Sequence, residues 1–175
     1  ELAEDELRVI AQIDDVAEKL RLRLHEPHRW SGSLRRAQFA RAVQGSNSIE
    51  GYDATLDDTA AIELGEDPLD ADEETRRAIR GYCDAMTYVL QMSTDPQFRY
   101  GEQLLKSLHF MMTSYDLKTR PGLWRSGAIF VRNEESGGIV YEGADIDDVP
   151  ELMHEFVRYL NVENAHHPMV DAGMA

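Results

Sequence analysis

The sequence predicts a mainly α fold: a helical bundle carrying one β-hairpin. Three observations carry this. Apolar residues recur at helical spacing through most of the 175 residues. Cap-forming and helix-stopping residues punctuate those stretches. Two short β-rich runs flank a Ser-Gly-Gly turn, the pattern of a hairpin.

Leu2, Leu7, Val9, Ile10, Ile13, Val16, Leu20 and Leu24 mark a first helix of about six turns at 3.6 residues per turn. Pro27 and the His25–Trp30 stretch end it. A second helix starts near Ser33, carries Leu34, Ala37, Phe39, Ala40 and Val43, and runs on toward Gly45 and Ser48. Gly51 reads as its stop, because glycine tolerates the left-handed conformation at a helix end. Thr55-Leu56-Asp57-Asp58 supplies a threonine cap and an acidic first turn for a third helix, closed by Gly65 and Pro68. Asp70 is placed to cap a fourth, with Ile79, Tyr82, Cys83, Met86, Val89 and Leu90 as its apolar stripe and Ser93-Thr94-Asp95-Pro96 as its end. A fifth runs from about Glu102 to Tyr115.

The pattern then changes. Arg120-Pro121-Gly122 is a turn, Ala128–Val131 a strand, Ser136-Gly137-Gly138 a second turn and Ile139-Val140-Tyr141 a second strand. An isolated hairpin is marginal in water, so this one is expected to lean on the helices. Asp148 and Pro150 open another helix, with Val149, Leu152, Met153, Phe156, Val157 and Leu160 on one face. Pro168 begins a last one, with Met169, Val170, Gly173 and Met174 as the start of a buried stripe. The expected parts are a helix over 1–30, a second-helix region over 31–65, and the hairpin-bearing remainder over 66–175. Length and composition fit one domain with a small appended helical element.

Composition excludes several classes. The net charge of −15 argues against a general binder of phosphate backbones. Its acidic clusters, at Glu66-Asp67, Asp70 to Glu74 and Asp145 to Glu151, read as solvated surface and helix starts. Apolar runs are too short for a membrane-spanning helix. The acidic start lacks the pattern of a signal peptide, and a single cysteine allows no internal disulfide, so a cytoplasmic location is expected. No phosphate-loop glycine pattern, HExxH, CxxC or GxSxG occurs. Cys83, inside an apolar stripe, reads as a buried structural thiol. His109 reads as a packing or partly exposed side chain. His166 and His167 do not share a helix face and have no carboxylate at ligand spacing, so no metal site is expected. The methionines, Met111-Met112 included, read as core. The face from Leu34 to Val43 reads as intramolecular packing, with a homodimer contact as its other use.

One segment is left, Ser46-Asn47-Ser48-Ile49-Glu50-Gly51. On a helix Ser46 and Glu50 share a face. By spacing alone they are surface residues at a frayed helix end.

The segment resembles the inhibitory motif of the Fic (filamentation-induced-by-cAMP) family, [Ser/Thr]-x-x-x-Glu-[Gly/Asn], with Ser46 first, Glu50 fifth and Gly51 sixth. Other features are similar in the same order. Leu108-His109-Phe110-Met111-Met112 resembles the end of the helix that leads to the family's flap. Arg120-Pro121-Gly122-Leu123-Trp124-Arg125 resembles the approach to it, and Ile129 to Tyr141 the flap itself. Val149 to Leu160 resembles the helix after the flap, and Pro168-Met169-Val170-Asp171-Ala172 the opening of the helix before the active-site loop. The family's catalytic signature, His-Pro-Phe-x-[Asp/Glu]-Gly-Asn-Gly-[Lys/Arg]-x-x-Arg, does not occur in the 175 residues. Its place would fall just past Ala175. The implied fold is a Fic-like helical bundle with one β-hairpin flap, truncated before the catalytic loop.

The resemblance implies an enzyme when full length: a protein adenylyltransferase, in which a motif histidine activates a target hydroxyl and AMP passes to it from ATP, with Mg2+ on the phosphates. None of the catalytic residues, and no magnesium ligand, lies in this stretch, so the 175 residues alone are expected to be inactive. Gly138, Ile139, Val140 and Tyr141 would be the flap strand that aligns an extended target segment, with Tyr141 bordering the nucleotide. Glu50 would hold the motif's second arginine away from the γ-phosphate, and Ser46 would bond the catalytic loop. In some relatives the same glutamate supports removal of AMP. The target is another protein or the enzyme itself. The competing reading is a non-catalytic Fic-like regulator, linked in related chains to a DNA-binding winged helix, although nothing in this segment signals direct nucleic-acid contact.

Overall fold

The structure, a computed structural model, describes residues 3–24, 31–133, 136–162 and 167–174. The stretch expected to end the first helix, His25–Trp30, lies outside the described residues, as do Leu2 and His166.

The helices of the described residues are α1 (Glu4–Leu24), α2 (Ser31–Ile49), α3 (Leu56–Leu64), α4 (Glu73–Met92), α5 (Glu102–Thr113), α6 (Val149–Leu160) and α7 (Pro168–Met174). A short 3-10 turn, Leu117–Thr119, comes after α5. Strands β1 (Phe130–Arg132) and β2 (Ile139–Glu142) form one antiparallel pair. None of the described helices is long and apolar enough to cross a membrane.

Local chemistry sets most helix ends. Thr55 caps α3: its Oγ1 accepts from Asp58 N at 3.1 Å and donates to the Asp58 carboxylate at 2.7 Å. Gly65 ends α3 at φ +79°, returning its N–H to Ala61 and Ile62 carbonyls. The cap of α4 is Asp72, not the expected Asp70. Asp72 accepts from Thr75 N at 2.7 Å, while the Asp70 backbone turns toward Asp58. Pro150 sits in the first turn of α6, where its missing N–H costs nothing.

The chain divides into two compact units. One comprises residues 40–162. Its core is the second half of α2 (Ala40, Val43), α3 (Ile62), α4 (Ala78, Ile79, Cys83, Ala85) and α6 (Val157), all buried. Ile79 and Val43 have no solvent exposure. α4 and α5 approach closely at Gly81, where an added Cβ would lie 2.5 Å from the Met111 carbonyl. The predicted α4 stripe is buried only in its first half: Val89 and Leu90 are exposed.

The other unit comprises residues 1–39 and 163–175, with α1, the start of α2 and α7. His167 Nε2 lies 3.0 Å from Asp14 Oδ1, joining α7 to α1. Met169, expected to begin a buried stripe, is exposed, as are Val9, Val16 and Leu20 along α1.

In the hairpin, Phe130 pairs with Glu142, Val131 with Tyr141 and Arg132 with Ile139, which leaves Val140 as an extra residue on β2. The first strand starts later than expected, at Phe130 rather than Ala128. Every strand residue is exposed, so among the described residues the helices do not bury the hairpin as expected. The hairpin is held at its base instead. The Arg125 guanidinium donates to Gly127 O at 2.7 Å and to Ala144 O. Gly143 N bonds Ile129 O at 2.9 Å.

Candidate functional site

The candidate site is the turn at the end of α2. Ile49 is the last helical residue and is exposed, so packing does not hold it. Three backbone bonds shape the turn. Glu50 N donates to Asn47 O at 3.1 Å, Gly51 N to Ser48 O at 3.1 Å, and Tyr52 N to Asn47 O at 2.9 Å. Gly51 adopts φ +86°, a conformation costly to any residue with a Cβ. The glycine therefore leads the chain out of the helix, as its sequence position predicts.

Asn47 anchors this turn from below. Its side chain is buried and donates to Val43 O at 2.9 Å, so it lies down the helix and leaves its own carbonyl to the turn. Ser46 lies one turn before Glu50 and accepts from the Tyr82 hydroxyl of α4 at 2.9 Å. A serine oxygen that accepts still has its own proton to donate. Beyond the turn, Tyr52 reaches Tyr115, just past α5. Their hydroxyl oxygens are 2.5 Å apart and the rings meet edge to face at 6.3 Å. Burial, then the bond to Tyr52, pushes the Tyr115 phenol well above its ordinary range.

Glu50 itself is exposed. Among the described residues no group pairs with its carboxylate. Among the described residues, the hydrogen bonds of Ser46, Glu50 and Tyr52 run to α4, to Tyr115 just past α5 and to α2 itself, and none runs to the hairpin.

The second candidate element is β2. Ile139, Val140 and Tyr141 are exposed, and β2 pairs only with β1 among the described residues. The left-handed turn residue is Gly137, at φ +67°, rather than Gly138. Gly137 N bonds Asn133 O at 2.8 Å, and Gly138 O accepts from Asn133 N at 2.9 Å, closing the loop into β2.

Cys83, His109 and Lys106 have structural surroundings. Cys83 is buried, and burial pushes its thiol up to about 11, far from thiolate chemistry. His109 Nδ1 accepts from Gly122 N at 3.1 Å, which fixes the Pro-Gly turn against α5. Lys106 lies over the Trp124 ring, 4.5 Å from its centroid. Sequence reading missed Tyr52 and Tyr115 and placed Tyr82 in a core stripe. Nothing local marks a tyrosine whose partner is 36 or 63 residues away.

No family model and no curated protein matches the sequence. A solved structure does. The crystal structure of a Fic family protein from Desulfovibrio desulfuricans G20 superposes with a TM-score of 0.74 at 23% identity. The match covers 98% of this chain and 49% of that one, so the chain spans about half the length of the protein it resembles. The architecture is a Fic-like helical fold with a two-stranded antiparallel sheet.

Proposed function

We propose that this chain is the regulatory and target-docking part of a Fic-type protein adenylyltransferase, with Glu50 as its inhibitory residue. The observation that supports this most is the state of one side chain. The Glu50 carboxylate is exposed and unpaired among the described residues, while the backbone beneath it is fixed by hydrogen bonds. An exposed carboxylate on an ordered turn is accessible to a partner. The resemblance names a guanidinium as that partner, and carboxylate with guanidinium is among the stronger, often bidentate, pairings.

Inhibition is then a matter of competition. An arginine engaged by Glu50 cannot bind the γ-phosphate, and ATP sits with its phosphates out of line. A displacement of about 1 Å costs on the order of a hundredfold in rate. Ser46, already accepting from Tyr82, has its own proton left for the catalytic loop. The free edge of β2, with the exposed Ile139, Val140 and Tyr141, suits strand addition by an extended target segment.

ATP and magnesium would be held by the signature motif, which the 175 residues do not contain. Among the described residues no three of His, Cys, Asp and Glu converge, so those residues do not by themselves make a magnesium site. The role of this chain is positioning and restraint, and the 175 residues alone transfer no AMP.

The test is Glu50→Gly in the full-length protein, with labelled ATP and magnesium. AMP incorporation into the protein or its target rises by about a hundredfold if the arginine is released. Unchanged incorporation by a folded variant refutes the inhibitory role.

A further inference from the structure

We infer that a two-point tyrosine clasp, Tyr82 on Ser46 and Tyr115 on Tyr52, positions the Glu50 turn and sets the strength of inhibition. The clasp rests on the inhibitory reading of Glu50 and goes beyond it, because it assigns the restraint to residues outside the motif.

The need for a clasp comes from where Glu50 lies. It is past the last helical residue, where helices fray. Its neighbours Ile49 and Gly51 are exposed, so neither holds the turn by packing. The three backbone bonds close the turn on itself but do not tie it to the rest of the unit. A carboxylate on a loose turn would sample many positions, and its effective concentration at a guanidinium would fall. The ties to distant elements are the two tyrosine contacts. One acts four residues before Glu50 and reaches α4. The other acts two residues after it and reaches the end of α5. Together they bracket Glu50 in sequence and fix both sides of the turn to the α4–α5 pair. That pair is itself locked by the close approach at Gly81.

The hydroxyls suit the task. The Tyr52–Tyr115 pair is short and partly buried, where a hydrogen bond is electrostatically stronger than in water. A phenol, ordinarily titrating at about 10, is protonated at physiological pH, so the contact persists there. The edge-to-face ring contact survives removal of a hydroxyl, which makes phenylalanine a clean probe. These are positioning residues, acting through Glu50.

The test is a double-variant cycle in the full-length protein. Tyr115→Phe and Tyr82→Phe are each made with Glu50 and with Glu50→Gly, and AMP incorporation is measured with kcat and KM for ATP. With Glu50 present, each loss of a hydroxyl raises incorporation about two- to tenfold, the factor expected from one partly buried hydrogen bond. In the Glu50→Gly background the same changes have no effect, because the clasp has nothing left to hold. Equal effects in both backgrounds overturn the clasp and make the hydroxyls general structural groups. Release by Glu50→Gly with none by the tyrosine variants overturns the clasp alone. No release by Glu50→Gly overturns the inhibitory reading and the clasp with it. A second readout is independent of catalysis: amide exchange at Tyr52 speeds up about two- to tenfold in Tyr115→Phe. Unchanged exchange there counts against the clasp.

Discussion

Arg125 grips the carbonyl of Ala144 across the base of the hairpin, while its other terminal nitrogen holds Gly127. One guanidinium thus joins the two chain segments that enter and leave an exposed pair of strands. Two strands with no covered face have little other support. Arg125→Ala is expected to open the hairpin. Limited proteolysis between residues 126 and 144 should then accelerate roughly tenfold, because cleavage tracks the population of the open form. Arg125→Lys should recover little of this, since a lysine lacks the planar fork that reaches both carbonyls.

Gly51 is a conformational requirement with no steric one. Its φ is +86°, yet nothing lies within 4 Å of where a Cβ would stand. Gly51→Ala should therefore cost about 1–2 kcal/mol through backbone strain alone, read as a lower urea midpoint with an unchanged m-value. Gly51→Asn should cost less, because asparagine tolerates the left-handed region.

Gly81 is the reverse case, a steric requirement with no unusual φ. An added Cβ meets the Met111 carbonyl at 2.5 Å and Met112 backbone near 3.1 Å. Gly81→Ala should push α5 from α4 and cost about 1–3 kcal/mol, as overpacking does. Ile79→Ala, at a position with no exposure, should cost about 2–5 kcal/mol by leaving a cavity. Both are measured by chemical denaturation.

Asp58 gives a pH dependence. Asp58 as a residue is 3% exposed, and its carboxylate accepts from Thr55 Oγ1 and Leu69 N, each at 2.7 Å. The Thr55 hydroxyl, then the Leu69 amide, holds its pKa below the ordinary range. The folded state therefore binds the proton more weakly than the unfolded one. The stabilisation is present above the unfolded value, about 3.9, and is lost as pH falls through the lower folded value. Asp58→Asn should flatten the acid limb of a melting-temperature profile below about pH 4. Asp72 and Glu73, lowered by the Thr75 amide and the Arg76 guanidinium respectively, keep a remainder of the slope.

Tyr115 acts with the opposite sign. Its folded pKa is raised, so its stabilisation is complete below the unfolded value, about 10, and is lost as pH rises through the folded one. Tyr115→Phe should lower the plateau near neutrality and remove the steepening above about pH 10 in the same melting profile.

The sequence by itself determined the helices, their order and the hairpin. Caps and stops act within about four residues: Thr55 on Asp58, Gly65 on Ala61 and Ile62, Gly51 on the end of α2. The motif-like segments, from Ser46–Gly51 to Pro168–Ala172 in their order, were also enough to predict the Fic-like architecture that the solved structure shares. Locally equivalent choices were decided only by tertiary structure. Asp70 and Asp72 are equally good caps by residue type, and the pull of Asp58 on residues 69 and 70 selects Asp72. The hairpin pattern is legible, but its exposure depends on what the helices leave uncovered. Glu50 was found from six consecutive residues. The tyrosines that brace its turn could not be, because a hydroxyl contact between Tyr52 and Tyr115 exists only once α2 and α5 have packed on α4.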